Sequence, residues 1–188
     1  MSATDPLVEL VTRAAAAFEH GGFAYAVVGA LARNAWARPR ATTDADFGIA
    51  VAPHQLPALH ELIDDLGLRI RKQRPGDGEV PELLLLCGRV DSSLRLDLLV
   101  ASTPFEDSVL SRRRRVRMAG ADVWVASPED LLVYKLVAGR PRDLVDVEDV
   151  ATTQKLAGAT LDWDYVNYWT EAFGVADRAR TLREKITD

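Results

Sequence analysis

Apolar positions along this chain change their period several times, and each change marks an element. Leu7, Leu10, Val11, Ala14, Ala15 and Phe18 recur three or four residues apart, which puts them on one face of a helix. Asp5 followed by Pro6 supplies a helix start, and Gly21-Gly22 a stop. A β-prone run from Phe23 to Val28 ends at Gly29. Leu31, Ala32, Ala35 and Trp36 then predict a brief helix closed by Pro39. From Asp44 to Val51 the pattern is that of a strand. Leu56, Leu59, Leu62, Ile63 and Leu66 return to helical spacing up to Gly67. Leu68 to Arg71 predicts a strand, Arg74-Pro75-Gly76-Asp77-Gly78 a loop, and Glu82–Cys87 and Leu94–Val100 two strands of one sheet. Val116–Met118 and Val123–Val125 are shorter and fit a hairpin or a sheet edge.

Beyond Ala126 the chain turns helical. Ser127-Pro128-Glu129-Asp130 combines a cap, a proline at the first helical position and an acid three residues after the cap. Helical stretches over Arg142–Leu156 and Leu161–Lys185 follow. Trp163, Tyr165, Tyr168 and Trp169 sit at spacing that suits helix–helix contact. The order of elements predicts an α+β fold, a mixed β-sheet flanked by helices with a helical C-terminal extension. It divides the chain into a core over residues 1–126 and a helical part over 127–188 packed on that core.

Composition narrows the class. The 188 residues are 48% hydrophobic and 27% charged, those of an ordinary globular chain long enough to bury a core. The single cysteine, Cys87, lies in an apolar run, reads as a core residue, and asks for no oxidising compartment. No signal-peptide pattern and no apolar stretch of membrane length are visible, so a cytoplasmic location and no membrane partner are expected. A net charge of −5 argues against broad nucleic-acid coating. The run Arg112-Arg113-Arg114-Arg115 with Arg117 is the one local basic candidate, with a solvated arginine turn as its alternative.

Carboxylates carry the candidate chemistry. Asp44 and Asp46 stand two apart on a strand, so their side chains point the same way and converge, which like charges resist unless a cation joins them. Magnesium is held by one or two carboxylates together with substrate phosphates, and this spacing suits it. Asp-x-Asp alone also occurs at turns and solvated strand starts. A third carboxylate, Asp97, lies between apolar neighbours in Leu96-Asp97-Leu98-Leu99-Val100, where it needs a metal or a cation such as Arg95 or Arg89. Gly29 ends a strand before a helix, where backbone N–H groups can meet a phosphate. Arg40-Ala41-Thr42-Thr43 offers further donors, although Thr42 and Thr43 also suit local turn bonding.

Val28-Gly29-Ala30-Leu31-Ala32-Arg33 and Pro39-Arg40-Ala41-Thr42-Thr43-Asp44-Ala45-Asp46 together resemble the first signature of the DNA-polymerase-β-like nucleotidyltransferases. More narrowly they resemble the AbiEii-type enzymes, many of which are toxins of toxin–antitoxin pairs. Asp97 matches the second signature of that group. Glu129-Asp130-Leu131-Leu132-Val133-Tyr134-Lys135 matches the third, and Arg142-Asp143-Leu144-Val145-Asp146 the fourth, in order between about Phe23 and Val150. The resemblance implies the nucleotidyltransferase fold. It implies Asp44, Asp46 and Asp97 as catalytic ligands of Mg2+ or Mn2+, with Lys135 meeting the triphosphate of an NTP. Gly29, Arg33, Arg40 and Thr42 would line the nucleotide site. Asp143 and Asp146 would orient Lys135 or the metal shell, or cap their helix and pair with Arg140 or Arg142. Ala30 departs from the family, which usually places Gly or Ser there, and it has no hydroxyl for a phosphate. The implied reaction moves an NMP group to a hydroxyl and releases pyrophosphate. The acceptor would be RNA such as a tRNA end, with a cognate antitoxin as partner, or a small molecule such as an aminoglycoside. A non-catalytic nucleotide- or partner-binding member is the third reading.

Overall fold

A computed structural model describes residues 5–75, 83–88 and 94–187. The turn expected at Gly76-Asp77-Gly78, the strand start at Glu82 and the alternative partner Arg89 lie outside the described residues. The elements are α1 (Pro6–His20), β1 (Tyr25–Val28), α2 (Gly29–Trp36), β2 (Asp44–Ile49), a 3-10 turn (Pro53–Gln55), α3 (Leu56–Asp65), β3 (Arg69–Pro75), β4 (Leu83–Gly88) and β5 (Arg95–Val100). They continue with α4 (Pro104–Arg112), β6 (Arg114–Met118), β7 (Ala121–Val125), α5 (Pro128–Ala138), α6 (Pro141–Leu156), α7 (Trp163–Ala172) and α8 (Ala176–Thr187). The chain forms two compact units, Met1–Leu31 with Ala41–Ala126 and Ala32–Arg40 with Ser127–Asp188. Residues 32–40 thus group with the C-terminal helices.

The first unit is built on a mixed sheet of the α+β kind expected, with strand order β3-β4-β5-β2-β1-β7-β6 among the described residues. β2 runs parallel to β5, and β1 parallel to β7; the other pairs are antiparallel. Burial alternates along the central strands as period two requires. Ala45 and Phe47 of β2 and Leu96, Leu98 and Val100 of β5 are buried, whereas Asp44, Asp46 and Asp97 are half-buried on the opposite face. Phe18 of α1 closes the buried side, meeting Phe47 edge-on at 5.3 Å between centroids and Tyr25 at 5.7 Å. Leu59 and Ile63 of α3 are fully buried as well.

Three features differ from the sequence expectation. Helix α4 was not anticipated, although Thr103 caps it and Glu106 Oε2 accepts hydrogen bonds from the Ser102 and Thr103 N–H groups at 2.7 and 3.0 Å. β3 continues through Arg74 and Pro75, where a loop was expected; as an edge strand it has room for a proline that donates nothing. The arginine run is no loop either. It spans the end of α4 and the edge strand β6, which returns to β7 through Ala119–Gly120. Their φ values of 45° and 88° suit a two-residue hairpin turn.

In the second unit, Ser127 Oγ accepts from the Asp130 N–H at 3.2 Å, and Asp130 Oδ2 accepts from the Ser127 N–H and hydroxyl at 3.1 and 2.6 Å, so α5 opens on a complete capping box. The expected helical stretch to Lys185 is two helices, α7 and α8, parted at Gly174. Tyr165 of α7 donates its hydroxyl to Asp130 Oδ1 at 2.5 Å. Asn34 closes the 34–40 loop, donating to the Arg40 carbonyl at 2.7 Å and accepting from the Arg40 N–H at 3.1 Å. Gln154 of α6 donates to the Trp36 carbonyl at 2.8 Å and holds that segment to the helices.

Candidate active site

Parallel pairing of β2 with β5 sets the geometry of the carboxylates. Asp46 lies directly opposite Asp97 and Asp44 opposite Arg95, so all three aspartates share the half-buried face. Asp97 Oδ1 is buried and accepts no hydrogen bond. Burial pushes its carboxyl above the ordinary range, the Asp44 charge adds to that, and Arg95 offsets part of it. Arg95 Nε lies 4.0 Å from Asp44 Oδ1, the outer limit of an ion pair. Hence the cation nearest in sequence leaves Asp97 Oδ1 unsatisfied. An unsatisfied buried carboxylate oxygen among further carboxylates is the donor chemistry of a hard divalent cation. Among the described residues no three carboxylate, imidazole or thiol groups stand close enough to form a ready-made cage.

Gly29 adjoins this face. Its φ of 62° is left-handed, and the space its Cβ would fill is taken by the Asp46 carboxylate. Glycine is therefore needed twice, for the backbone and for the carboxylate packed on it. Thr42 Oγ1 lies 3.4 Å from both the N–H and the carbonyl of Asp44, and Thr43 donates to Asp44 Oδ1 at 3.2 Å. The threonines thus form the local turn bonds that lead into β2.

Lys135, Arg33 and Arg40 belong to the second unit and meet around one anion. Asp146 accepts from Lys135 Nζ at 2.7 Å and from Arg40 Nε and Nη2 at 3.1 and 2.8 Å, and Arg33 Nε lies 3.3 Å away. Lys135 also donates to Asp143 at 3.0 Å, and Arg33 pairs with Asp149. Burial raises the Asp146 carboxyl, but hydrogen bonds from Arg40 and Lys135 outweigh that and hold it at about 2. Burial lowers the Arg33 guanidinium, which Asp146 counters. Lys135 and Arg33 are themselves buried. Asp143 and Asp146 therefore hold Lys135, whereas the Arg140 and Arg142 ion pairs do not form among the printed contacts of these acids. Asp149 was missed in the sequence, although it stands three residues from Asp146 on the same helix face.

The arginine run lies on the sheet edge, separated from β2 by β7 and β1. At about 4.8 Å per strand, β6 is roughly 14 Å from the carboxylate strand. Arg115 pairs with Glu19 at 3.1 Å, Arg117 with Asp122 at 3.1 Å, and Arg113 and Arg115 stack on Trp124 at 4.7 and 4.4 Å. Cys87 is buried, with its thiol pushed up to about 12 by burial and then by Asp97. No helix of the described residues is long and apolar enough to cross a membrane.

This sheet, with its carboxylates on one open face, is the fold of the nucleotidyltransferases. The solution structure of the antibiotic-resistance factor ANT(2'')-Ia superposes with a TM-score of 0.61 over 95% of each chain at 16% identity. An antigenic nucleotidyltransferase-like protein from Paracoccidioides brasiliensis gives 0.60 over 96% of this chain and 86% of its own, at 19% identity. The lincosamide antibiotic adenylyltransferase LnuA gives 0.54 over 80% and 98%, at 12% identity. The chain belongs to the family DUF6036, described as a nucleotidyltransferase of unknown function, which it matches over residues 23–183. It is thus a nucleotidyltransferase enzyme, with an NTP as its expected substrate. A search of curated proteins found no match.

Proposed function

We propose that this enzyme transfers an NMP group from an NTP to a hydroxyl acceptor at the Asp44–Asp46–Asp97 face. The observation that carries the reading is the β2–β5 register, which sets Asp46 beside Asp97 and leaves Asp97 Oδ1 unpaired in a buried position. Asp44, Asp46 and Asp97 would hold magnesium or manganese, which when bound neutralises charge on the phosphates and on the attacking oxygen. The acceptor hydroxyl oxygen forms a bond to the α-phosphorus, the bond from that phosphorus to the α–β bridging oxygen breaks, and pyrophosphate leaves. The hydroxyl proton passes to solvent. The turn at Gly29 would receive the phosphates through backbone N–H groups. Arg33, Arg40 and Lys135 enter this reading as the cations gathered on Asp146, a role in fixing the 32–40 segment to α5 and α6.

A small hydroxyl compound is a second acceptor reading beside RNA, because the Arg112–Arg117 run that favoured RNA is engaged on Glu19, Asp122 and Trp124. Proteins of this fold named for aminoglycoside and lincosamide adenylylation support it. A toxin role with an antitoxin partner and a cytoplasmic location go with the RNA reading.

The test is incubation with each α-labelled NTP and magnesium, offering total cellular RNA or an aminoglycoside, alongside Asp46→Asn. Label should pass from at least one NTP to an acceptor with wild type and not with the variant. Release of no pyrophosphate under any of these conditions sinks the reading.

A further inference from the structure

Beyond the carboxylates, the same sheet face carries a row of cations toward the β3 edge. Asp44 pairs in register with Arg95, Arg95 with Gly88, and Gly88 with Arg69. Cross-strand partners share a face, so Arg95 and Arg69 lie on the face of Asp46 and Asp97. β3 is bulged between Ile70 and Lys72, the position of Arg71; bulges re-aim side chains. The Arg71 side chain lies over Gly88, where a Cβ would stand 3.1 Å from Arg71 Nε and 3.4 Å from Cζ. Gly88 therefore makes room for a guanidinium laid on the sheet. Arg95 and Arg69 are mostly exposed, and each has its carboxylate, Asp44 or Asp64, only at 4.0 Å. Placing cations side by side across strands costs stability unless an anion joins them.

This row lies on one side of β2 and Gly29 on the other, since the strand order is β3-β4-β5-β2-β1. With the triphosphate at Gly29, β5, β4 and β3 are left for the acceptor. We propose that Arg95, Arg71 and Arg69 bind a phosphate group carried by the acceptor, so that the acceptor is a phosphate-bearing hydroxyl compound and not a polycation. The proposal rests on the nucleotidyl-transfer reading for the side of β2 it assigns to the acceptor. Two sources share this chemistry, a nucleic-acid strand end and a small phosphorylated metabolite.

Binding separates the proposal from the reaction. A fluorescein-labelled pentaribonucleotide with a free 3′ hydroxyl is titrated by anisotropy, and a nucleoside 5′-monophosphate and its parent nucleoside are tested as competitors. Wild type should bind the oligonucleotide with an affinity that falls steeply with salt, and the monophosphate should compete at least tenfold better than the nucleoside. Arg69→Ala with Arg71→Ala should weaken oligonucleotide binding at least tenfold. Gly88→Ala, which moves Arg71 without removing charge, should weaken it about threefold, and Arg71→Lys should recover part of the loss. If binding is unchanged in the double variant, or the nucleoside competes as well as the monophosphate, the proposal is overturned. It is equally overturned if wild type labels an aminoglycoside as well as it labels a phosphate-bearing acceptor. Label on the monophosphate with none on the oligonucleotide assigns the metabolite source, and label on the oligonucleotide the nucleic-acid source. Arginine-dependent binding without any transfer keeps the binding site and sinks the reaction instead.

Discussion

Replacing Gly29 by alanine tests the union of backbone and carboxylate at the centre of the site. Alanine at a φ of 62° puts its Cβ against the carbonyl oxygen, costing about 1–2 kcal/mol. The new Cβ would also stand 2.7 Å from Asp46 Cγ and 3.0 Å from Asp46 Cβ, both inside contact distance. Asp46 must then leave its rotamer, at a further cost of about 1 kcal/mol. A loss of about 2–3 kcal/mol in a chain of this size lowers the Tm by roughly 4–12 °C. Nucleotidyl transfer should be lost with it, because Asp46 no longer stands opposite Asp97. The two costs separate in a double-mutant cycle with Asp46→Ala, which removes the carboxylate and keeps the strand. In that background Gly29→Ala should cost only the backbone part, leaving a coupling near 1 kcal/mol. Calorimetry or thermal circular dichroism on the four proteins measures it. A Gly29→Ala protein that melts within 1 °C of wild type and still transfers would refute the account, and a coupling of zero would refute the part played by Asp46.

Other consequences follow from charge. Asp146→Asn takes the shared anion from three buried cations and should cost roughly 3–5 kcal/mol, read as a lowered Tm at neutral pH. Because the folded Asp146 carboxyl is held at about 2, against about 3.9 in an unfolded chain, its contribution is present above about pH 4 and is lost as pH falls toward 2. Acid titrations of wild type and Asp146→Asn should therefore converge in that window. Asp97→Asn should do the reverse without metal: the raised carboxyl is destabilising when ionised, so the variant should melt at or above wild type at neutral pH, with the gap closing in acid. Magnesium with NTP should then stabilise wild type more than the variant. Cys87, buried with its thiol raised to about 12, should resist a thiol reagent in the native protein and react at once in denaturant.

Much of this was legible from spacing because it is local. Period two placed Asp44 and Asp46 on one face, and the same alternation put Asp97 opposite the buried Leu96 and Leu98. The caps at Asp5 and Ser127 were equally plain. Helix α4 was not read although Thr103-Pro104-Phe105-Glu106 carries a capping box. Its buried apolar residues, Phe105, Val109 and Leu110, are too few to impose a period over nine positions. Long-range pairing was out of reach for a different reason. No local pattern tells that Asp146 gathers Arg33 and Arg40, more than a hundred positions earlier, or that β2 and β5 pair without an offset. Arg112 to Arg117 read as a free basic patch because the partners Glu19 and Trp124 belong to other elements.

The alignment of Asp46 with Asp97 has a consequence for which changes of chain length this protein tolerates. Between β2 and β5 the chain makes a long excursion through α3, β3 and β4, and residues added in its exposed turns leave both strands in place. Inside β5 there is no such slack. Removing one residue between Arg95 and Asp97 would shift the strand by a single step, turn Leu98 or Leu96 outward and drive Asp97 among Phe47 and Leu85. Length variation among relatives should accordingly gather in the connections and stop at the ends of β2 and β5.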